Sequence, residues 1–285
     1  MKIIRAAHLG MCFGVRDAIE LALRESSSEP LTILGDLVHN ELVLQQLRSQ
    51  GVRIEHQVAE VRTGRVMITA HGASDRALQK IREQGLEIVQ ATCPLVHHAH
   101  RAILKLVKQG YFPVIIGKHD HVEVRGLTGD LDDFGVVLSQ TDVEELPERP
   151  SYGIVAQTTQ PADRVRHLVW QIEQRFPHSE VRYVDTVCQP TKQRQTAAID
   201  LARHSDVVIV IGGAHSNNTH ELARTCAQYC SQVHQVQSAR DLRLAWFTGA
   251  ETVGLTAGTS TPDCTIDEVE QWIQDHAGSE LHDAA

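Results

Sequence analysis

The feature that most constrains this chain is a unit that recurs along it: a short apolar run, a polar turn, then a stretch with helical spacing of apolar residues. Candidate strands are 2–6, 31–34, 66–70, 87–91, 113–116, 136–138, 152–156, 181–184, 206–211, 233–236 and 252–256. Between them apolar residues return at the helical period, as Val165, Leu168, Val169 and Ile172 do within 162–176. Strands that alternate with helices are joined by crossovers, so the expected class is α/β with mostly parallel sheets. Gly51, Gly85 and Gly110 follow helical patterns, as C-terminal glycines do. Pro147-Glu148-Arg149-Pro150 marks a loop between the two halves of the chain.

The turns carry the polar chemistry. After 31–34 comes Gly35-Asp36-Leu37-Val38-His39-Asn40, and after 66–70 comes His71-Gly72-Ala73-Ser74. The later ones are Gly117-Lys118-His119-Asp120-His121-Val122-Glu123, Gln157-Thr158-Thr159, Gly212-Gly213-Ala214-His215-Ser216-Asn217-Asn218-Thr219, and Ala257-Gly258-Thr259-Ser260-Thr261-Pro262. Each sits at the carboxyl end of a strand and enters a helix. That edge of an open α/β sheet is where ligands bind, and helix N-termini there favour anions.

Three cysteines occupy similar strand-to-helix corners: Cys12 in Gly10-Met11-Cys12-Phe13-Gly14-Val15, Cys93 in Ala91-Thr92-Cys93-Pro94-Leu95-Val96, and Cys188 after Tyr183-Val184-Asp185. They lie 81 and 95 residues apart, a distance on the scale of one small α/β layer. The N-terminus has no apolar stretch of signal-peptide length, which points to the cytoplasm, where cysteines serve as thiols or metal ligands rather than disulfides. Free cysteine is also a common core residue, and no Cys-x-x-Cys motif is present. If the thiols bind metal, zinc requires a fourth ligand, whereas an iron–sulfur cube on three thiolates leaves one iron open. Cys226 and Cys230, four apart on one helix, read as packing residues, and Cys264 reads as structural.

Composition removes several classes. Lys and Arg total 27 against 36 acidic residues, a net charge of −9, and aromatics are 4%. Nucleic acid and anionic membrane are therefore poor partners. No Gly-x-x-x-x-Gly-Lys or Gly-x-Gly-x-x-Gly loop supports nucleotide binding. There are 17 histidines, so position decides which matter. His39, His71 and His121 stand in the turns, with His119 and His215 as neighbours, and together with Ser216, Asn217, Asn218 and Ser260 they make a donor set suited to phosphate oxygens. His97, His98 and His100 read as the outer surface of one helix. Glu123 is the carboxylate closest to such a turn besides Asp120. A dry cavity would raise its pKa, as a proton donor requires, and Thr158 reads as its hydroxyl relay or as a helix cap.

The ordered motifs closely resemble the 4-hydroxy-3-methylbut-2-enyl diphosphate reductase family, the last enzyme of the methylerythritol phosphate route to isoprenoids. They are Gly10-x-Cys12-x-Gly14-Val15, Val38-His39-Asn40, Ala70-His71-Gly72, Ala91-Thr92-Cys93-Pro94-Leu95-Val96, His121-x-Glu123-Val124, Gln157-Thr158-Thr159, Cys188 with Thr191 and Arg194-Gln195, Ser216-x-Asn218, and Thr256-Ala257-Gly258-x-Ser260-x-Pro262-Asp263. The resemblance implies three small α/β domains in a pseudo-threefold arrangement around a [4Fe–4S] cluster. Divided at the cysteines, these are 12–93, 94–188 and 189–276, with strand 1–11 packed centrally or onto the third and a disordered tail at 277–285.

By the same resemblance Cys12, Cys93 and Cys188 hold the cluster, and His39, His71, His121, Ser216, Asn217, Asn218 and Ser260 hold the diphosphate. Glu123, Thr158 and His121 are the implied catalytic residues, and ferredoxin or flavodoxin the electron donor. The implied reaction is two-electron reductive dehydroxylation to isopentenyl and dimethylallyl diphosphate. Val122 stands where the family commonly has proline, Arg125 where it often has an acid, and Asn217 where it has serine. The alternatives carried with the reductase are a divergent paralogue acting on another small substrate, a non-catalytic iron–sulfur sensor or binding protein, and a zinc hydrolase.

Overall fold

A computed structural model describes residues 1–277 of the chain. Its strands are β1 (Lys2–Arg5), β2 (Leu31–Leu34), β3 (Arg53–Glu55), β4 (Arg65–Ile68), β5 (Glu87–Gln90), β6 (Phe112–Ile116), β7 (Gly135–Val137), β8 (Ser151–Ala156), β9 (Glu180–Tyr183), β10 (Val207–Ile211), β11 (Val233–Val236) and β12 (Thr252–Ala257). Its α-helices are α1 (Phe13–Ser28), α2 (Glu41–Ser49), α3 (Asp75–Glu83), α4 (Pro94–Lys108), α5 (Val122–Thr128), α6 (Gln140–Glu145), α7 (Ala162–Arg175), α8 (Gln189–Arg203), α9 (Asn217–Cys226) and α10 (Asp263–Ala277). All the expected strands occur. β3 was not expected: Arg53-Ile54-Glu55 offers one apolar residue between two charged ones, a composition that carries no strand signal until a neighbour pairs with it. Of the tail expected to be disordered, Ala277 ends α10 and 278–285 lie outside the described residues.

The chain divides into two compact units, one made of Met1–Val15, Val38–Leu44 and the chain from Gln189 onward, the other of Arg16–Leu37 and Gln45–Cys188. The first is built on the sheet β1-β12-β10-β11. In β10, Val207, Ile209 and Ile211 face the core under α10, while Val208 and Val210 face Ala198, Ala202, Leu222 and Cys226 of α8 and α9. A strand apolar on both sides of its two-residue period needs cover on both faces, and it has it. The second unit holds the sheets β3-β2-β4-β5 and β7-β6-β8-β9. In the latter, Val114, Ile116, Ile154 and Ala156 pack against α6 and α7, and Ile115 and Val155 against α4 and α5.

The three sheets share one internal order, and every pairing in them is parallel. The chain enters at an inner strand (β2, β6 or β10), steps outward to one edge (β3, β7 or β11), crosses back to the third (β4, β8 or β12), and is closed by β5, β9 or β1. β1 thus takes in the first unit the edge that β5 and β9 take in the other two sheets. The reversal of direction falls between β2 and β4, β6 and β8, and β10 and β12, and such a switch point opens a crevice at the carboxyl ends of the strands. Register levels those ends, since Ile116 pairs with Ala156 and Ile211 with Ala257. The turns that begin at Gly117 and Gln157, and at Gly212 and Gly258, therefore start side by side.

Candidate active site

Each of Cys12, Cys93 and Cys188 is the residue immediately before a helix, α1, α4 or α8. Each follows the strand that closes its sheet, and each donates its backbone N–H to the second residue past the end of the neighbouring strand. Cys12 bonds Thr259 O at 3.1 Å, Cys93 bonds Ala70 O at 3.0 Å, and Cys188 bonds Thr158 O at 2.9 Å. All three cysteines are half-buried and none is in a disulfide. Cys93 caps α4 without using its side chain, and Pro94 follows at the first helical position, where no N–H is missed. Each corner offers a soft donor of the kind that iron–sulfur groups take.

The other cysteines differ. Cys226 is buried, its thiol pushed up to about 12 by desolvation with Cys230 adding to it, and Cys230 points its thiol at the carbonyls of Ser205, Asp206 and Gln232, each 3.4 Å away. Both are packing residues, as expected. Cys264, expected to be structural, is instead exposed on α10.

In the second unit the switch point between β6 and β8 carries the acid. Gly117 begins the turn because a Cβ there would sit 2.8 Å from Val124 and 2.9 Å from Gln157. The turn ends on His121, which caps α5 by accepting the Glu123 N–H at Nδ1, 3.1 Å away. A neutral His121 accepting at Nδ1 carries its proton on Nε2. Glu123 is 1% exposed. Its Oε1 accepts the Thr158 N–H at 2.7 Å and its Oε2 the Thr158 hydroxyl at 3.0 Å. Burial pushes its carboxyl up to about 7 against the opposing effect of those two bonds. The rings of His71 and His121 meet edge to face at 5.5 Å. Val122 and Arg125 fall harmlessly: the first at the first helical position, the second exposed.

In the first unit Ser216 caps α9, its hydroxyl accepting the Thr219 N–H at 3.3 Å. Asn218 Oδ1 accepts the Thr259 N–H at 3.0 Å, tying the β10 turn to the β12 turn that carries the buried Ser260. Using its oxygen in this way leaves the amide NH2 as the donor end. Asn217 Nδ2 is buried with no hydrogen-bond partner among the described residues, a donor suited to an anion. Gly213 lets the backbone meet His39: a Cβ there would lie 2.3 Å from the His39 carbonyl oxygen. His119 and His215 are exposed.

Two features were given no role in the sequence, and one reading is corrected. Arg194 is buried and donates to the Gly10 carbonyl from Nε at 3.1 Å and Nη2 at 2.6 Å, bracing the turn before Cys12. Asn40 Oδ1 accepts the N–H groups of Leu42 and Val43 and starts α2. His100 is not outer surface, unlike the exposed His97 and His98. Its side chain is 13% exposed and its Nε2 lies 2.9 Å from Asp130. A signal existed for two of them. Arg194 shares a helical face with Ala197, Ala198 and Leu201, and His100 with Val96 and Ile103, so both are polar residues on apolar stripes.

The LytB protein family matches residues 3–274. A 4-hydroxy-3-methylbut-2-enyl diphosphate reductase of Geobacter metallireducens is 38% identical over 277 residues, 96% of this chain and 98% of that one. Another, of Geobacter sp. strain M21, is 40% identical over 94% of this chain and 95% of its own. Among solved structures, the E-1-hydroxy-2-methyl-but-2-enyl-4-diphosphate reductase of Plasmodium falciparum superposes with a TM-score of 0.90 at 26% identity, over 96% of this chain and 88% of that one. A structure described as (E)-4-hydroxy-3-methyl-but-2-enyl diphosphate reductase, the terminal enzyme of the non-mevalonate pathway, superposes with a TM-score of 0.69 at 35% identity, covering 96% and 99%.

Proposed function

The chain belongs to the LytB protein family, and on that premise we propose that it is an oxidoreductase that removes the allylic hydroxyl of 4-hydroxy-3-methylbut-2-enyl diphosphate by two-electron reduction. Two electrons and two protons convert the substrate to isopentenyl or dimethylallyl diphosphate and water. The observation that carries the reading is Thr158. Its carbonyl takes the N–H of Cys188, and its own N–H and hydroxyl hold Glu123, so one residue couples a metal-binding corner to a buried acid.

Cys12, Cys93 and Cys188 are the residues that would hold a [4Fe–4S] cluster. When bound, that group supplies the two electrons and an open iron for the substrate hydroxyl. His39, His71, His121, Ser216, Asn217, Asn218 and Ser260 donate to the diphosphate, and the N-terminus of α9 at Ser216 and Asn217 adds its dipole. Glu123, half protonated near neutral pH, gives a proton to the leaving hydroxyl, and Thr158 fixes the direction of that transfer. His121 holds the Glu123 backbone in place while its Nε2–H faces the anion. Ferredoxin or flavodoxin delivers the electrons in the cytoplasm, and the functional domains are 12–93, 94–188 and 189–276. No described helix is long and apolar enough to cross a membrane.

The test is anaerobic purification with iron and sulfide analysis, then turnover of the hydroxymethylbutenyl diphosphate with a reduced viologen. Iron and sulfide in near-equal amounts, lost in Cys93→Ser, and turnover by the wild type are the expected results. An intact cluster without turnover sinks the substrate assignment. Zinc without sulfide sinks the cofactor.

A further inference from the structure

Glu123 gives up a proton in each turnover of the proposed reaction, yet it is 1% exposed and both its carboxyl oxygens are held by Thr158. It has to be reloaded through the protein. Beside it lies a cavity of about 10 Å³, room for a single water, walled by His71, Thr92, His97, His100, Glu123 and Gly126. His100 is the link outward. Its Nε2 is 2.9 Å from Asp130 Oδ2, which leaves Nδ1 as the ring nitrogen uncommitted to Asp130. Asp130 in turn lines a groove of about 400 Å³ at the surface, together with Asp132, Asp133 and Arg149.

We propose that His100 and Asp130 form the route by which protons from bulk water reach Glu123, passing through a water in the small cavity. For each proton Glu123 gives up, one enters from solvent at the Asp130–His100 pair and one leaves His100 for the cavity water and then the carboxylate. Only O–H and N–H bonds are exchanged, and no electron moves. The inference rests on the proposed reaction for the demand, and on geometry alone for the path.

Asp130 has a second task that fixes it in place. Its two oxygens accept the N–H groups of Asp75 and Arg76 at 2.7 and 2.8 Å, capping α3 across the two sheets of this unit. That cap does not require a histidine on α4. A histidine there adds a ring whose two nitrogens can each donate or accept a hydrogen bond, which capping does not use. The charged and titratable groups around His100 and its cavity are His97 and Arg101 on α4, His71 in the turn after β4, Asp75 and Arg76 on α3, Glu123 on α5, and Asp130 and Asp132 after it.

The experiment compares wild-type holoenzyme with His100→Gln and His100→Ala. A positioned proton-transfer group contributes about 10²-fold at the low end, and with solvent still able to leak in, kcat is expected to fall about tenfold in both variants with KM unchanged. A single turnover, which spends the proton already on Glu123, keeps its rate. Imidazole added to His100→Ala restores kcat in proportion to its concentration, an effect a packing role would not produce. In either variant the infrared carboxyl band assigned by its absence in Glu123→Gln exchanges deuterium more slowly than in wild type, a readout that needs neither substrate nor turnover. Equal exchange rates overturn the route even if the reaction is confirmed. Slower exchange in a protein that does not reduce the diphosphate keeps the route and overturns only the reaction. If His100→Ala fails to fold, His100→Gln carries the kinetic and exchange tests.

Discussion

After β6 and after β10 the chain takes the same five steps to a helix cap, from Ile116 to His121 and from Ile211 to Ser216. Each strand is wholly buried, and each cap accepts a backbone N–H from its helix. At the second helical position one turn has Glu123 and the other Asn218. Both side-chain oxygens accept the N–H of the second residue past the neighbouring strand, Thr158 at 2.7 Å and Thr259 at 3.0 Å. The carbonyls of those two threonines then accept the N–H groups of Cys188 and Cys12. The bonds from the second-position side chain to the threonine N–H, and from the threonine carbonyl to the cysteine N–H, are repeated in both turns, and what differs is what that side chain has left to offer. A carboxyl so held offers a proton; an amide so held offers two fixed N–H groups and no proton. The repeat supplies rigid placement, and a single residue type sets the chemistry.

Glu123→Gln makes the first turn like the second. The amide oxygen keeps the Thr158 N–H and the fold is retained, but the transferable proton is gone. Turnover is expected to fall about 10²- to 10⁴-fold while the diphosphate binds as before. Steady-state kinetics with isothermal titration of the substrate checks this. Retained turnover would mean that the two turns differ in residue but not in task.

The same substitution separates the turns by pH. Glu123 goes from an ordinary 4.5 to about 7 in the native protein, so between these values the native chain keeps a proton that the unfolded chain has lost. Native stability from this group therefore declines as pH rises from about 4.5 to about 7 and is flat above, and the pKa difference corresponds to about 3 kcal/mol in all. In Glu123→Gln that decline vanishes. Denaturant midpoints of both proteins across this range give the answer, and parallel curves would remove the buried acid from the comparison.

The reverse change, Asn218→Asp, makes the second turn like the first. The aspartate still accepts the Thr259 N–H, but it puts a charge where the proposed reading has an N–H donor to the diphosphate. Affinity is expected to drop by about 2 kcal/mol, roughly thirtyfold, with kcat at saturation little altered. A loss confined to kcat would place Asn218 away from the anion.

The repeat was partly legible in the chain. Apolar runs such as Val-Val-Ile-Val-Ile in β10 announce buried strands, and the polar turns after them announce the ligand edge, because sheet burial and helix entry impose local composition. The turn residues named from the sequence are the ones found at the strand ends. What stayed hidden depends on partners distant in sequence. That Asn218 and Glu123 occupy equivalent bonds requires the register of β10 with β12 and of β6 with β8, which no local pattern encodes. Arg194 was given no role and His100 was misread as outer surface for the same reason: a polar residue on an apolar stripe is explained only by the carbonyl or carboxylate waiting opposite it.

The smallest test concerns a position of the first turn that does not touch the chemistry. Val122 is the first residue of α5, where a backbone N–H has no helical partner, and His121 before it already holds φ −70° and ψ 137°, the extended conformation that a following proline demands. Val122→Pro therefore fits without strain and removes freedom from the unfolded chain. A gain of about 0.4–1 kcal/mol is expected, read as a rise in denaturant midpoint, with the His121 cap and the Glu123–Thr158 bonds intact and turnover unchanged. A loss of stability would show that the turn after β6 is held by more than its cap and its acid.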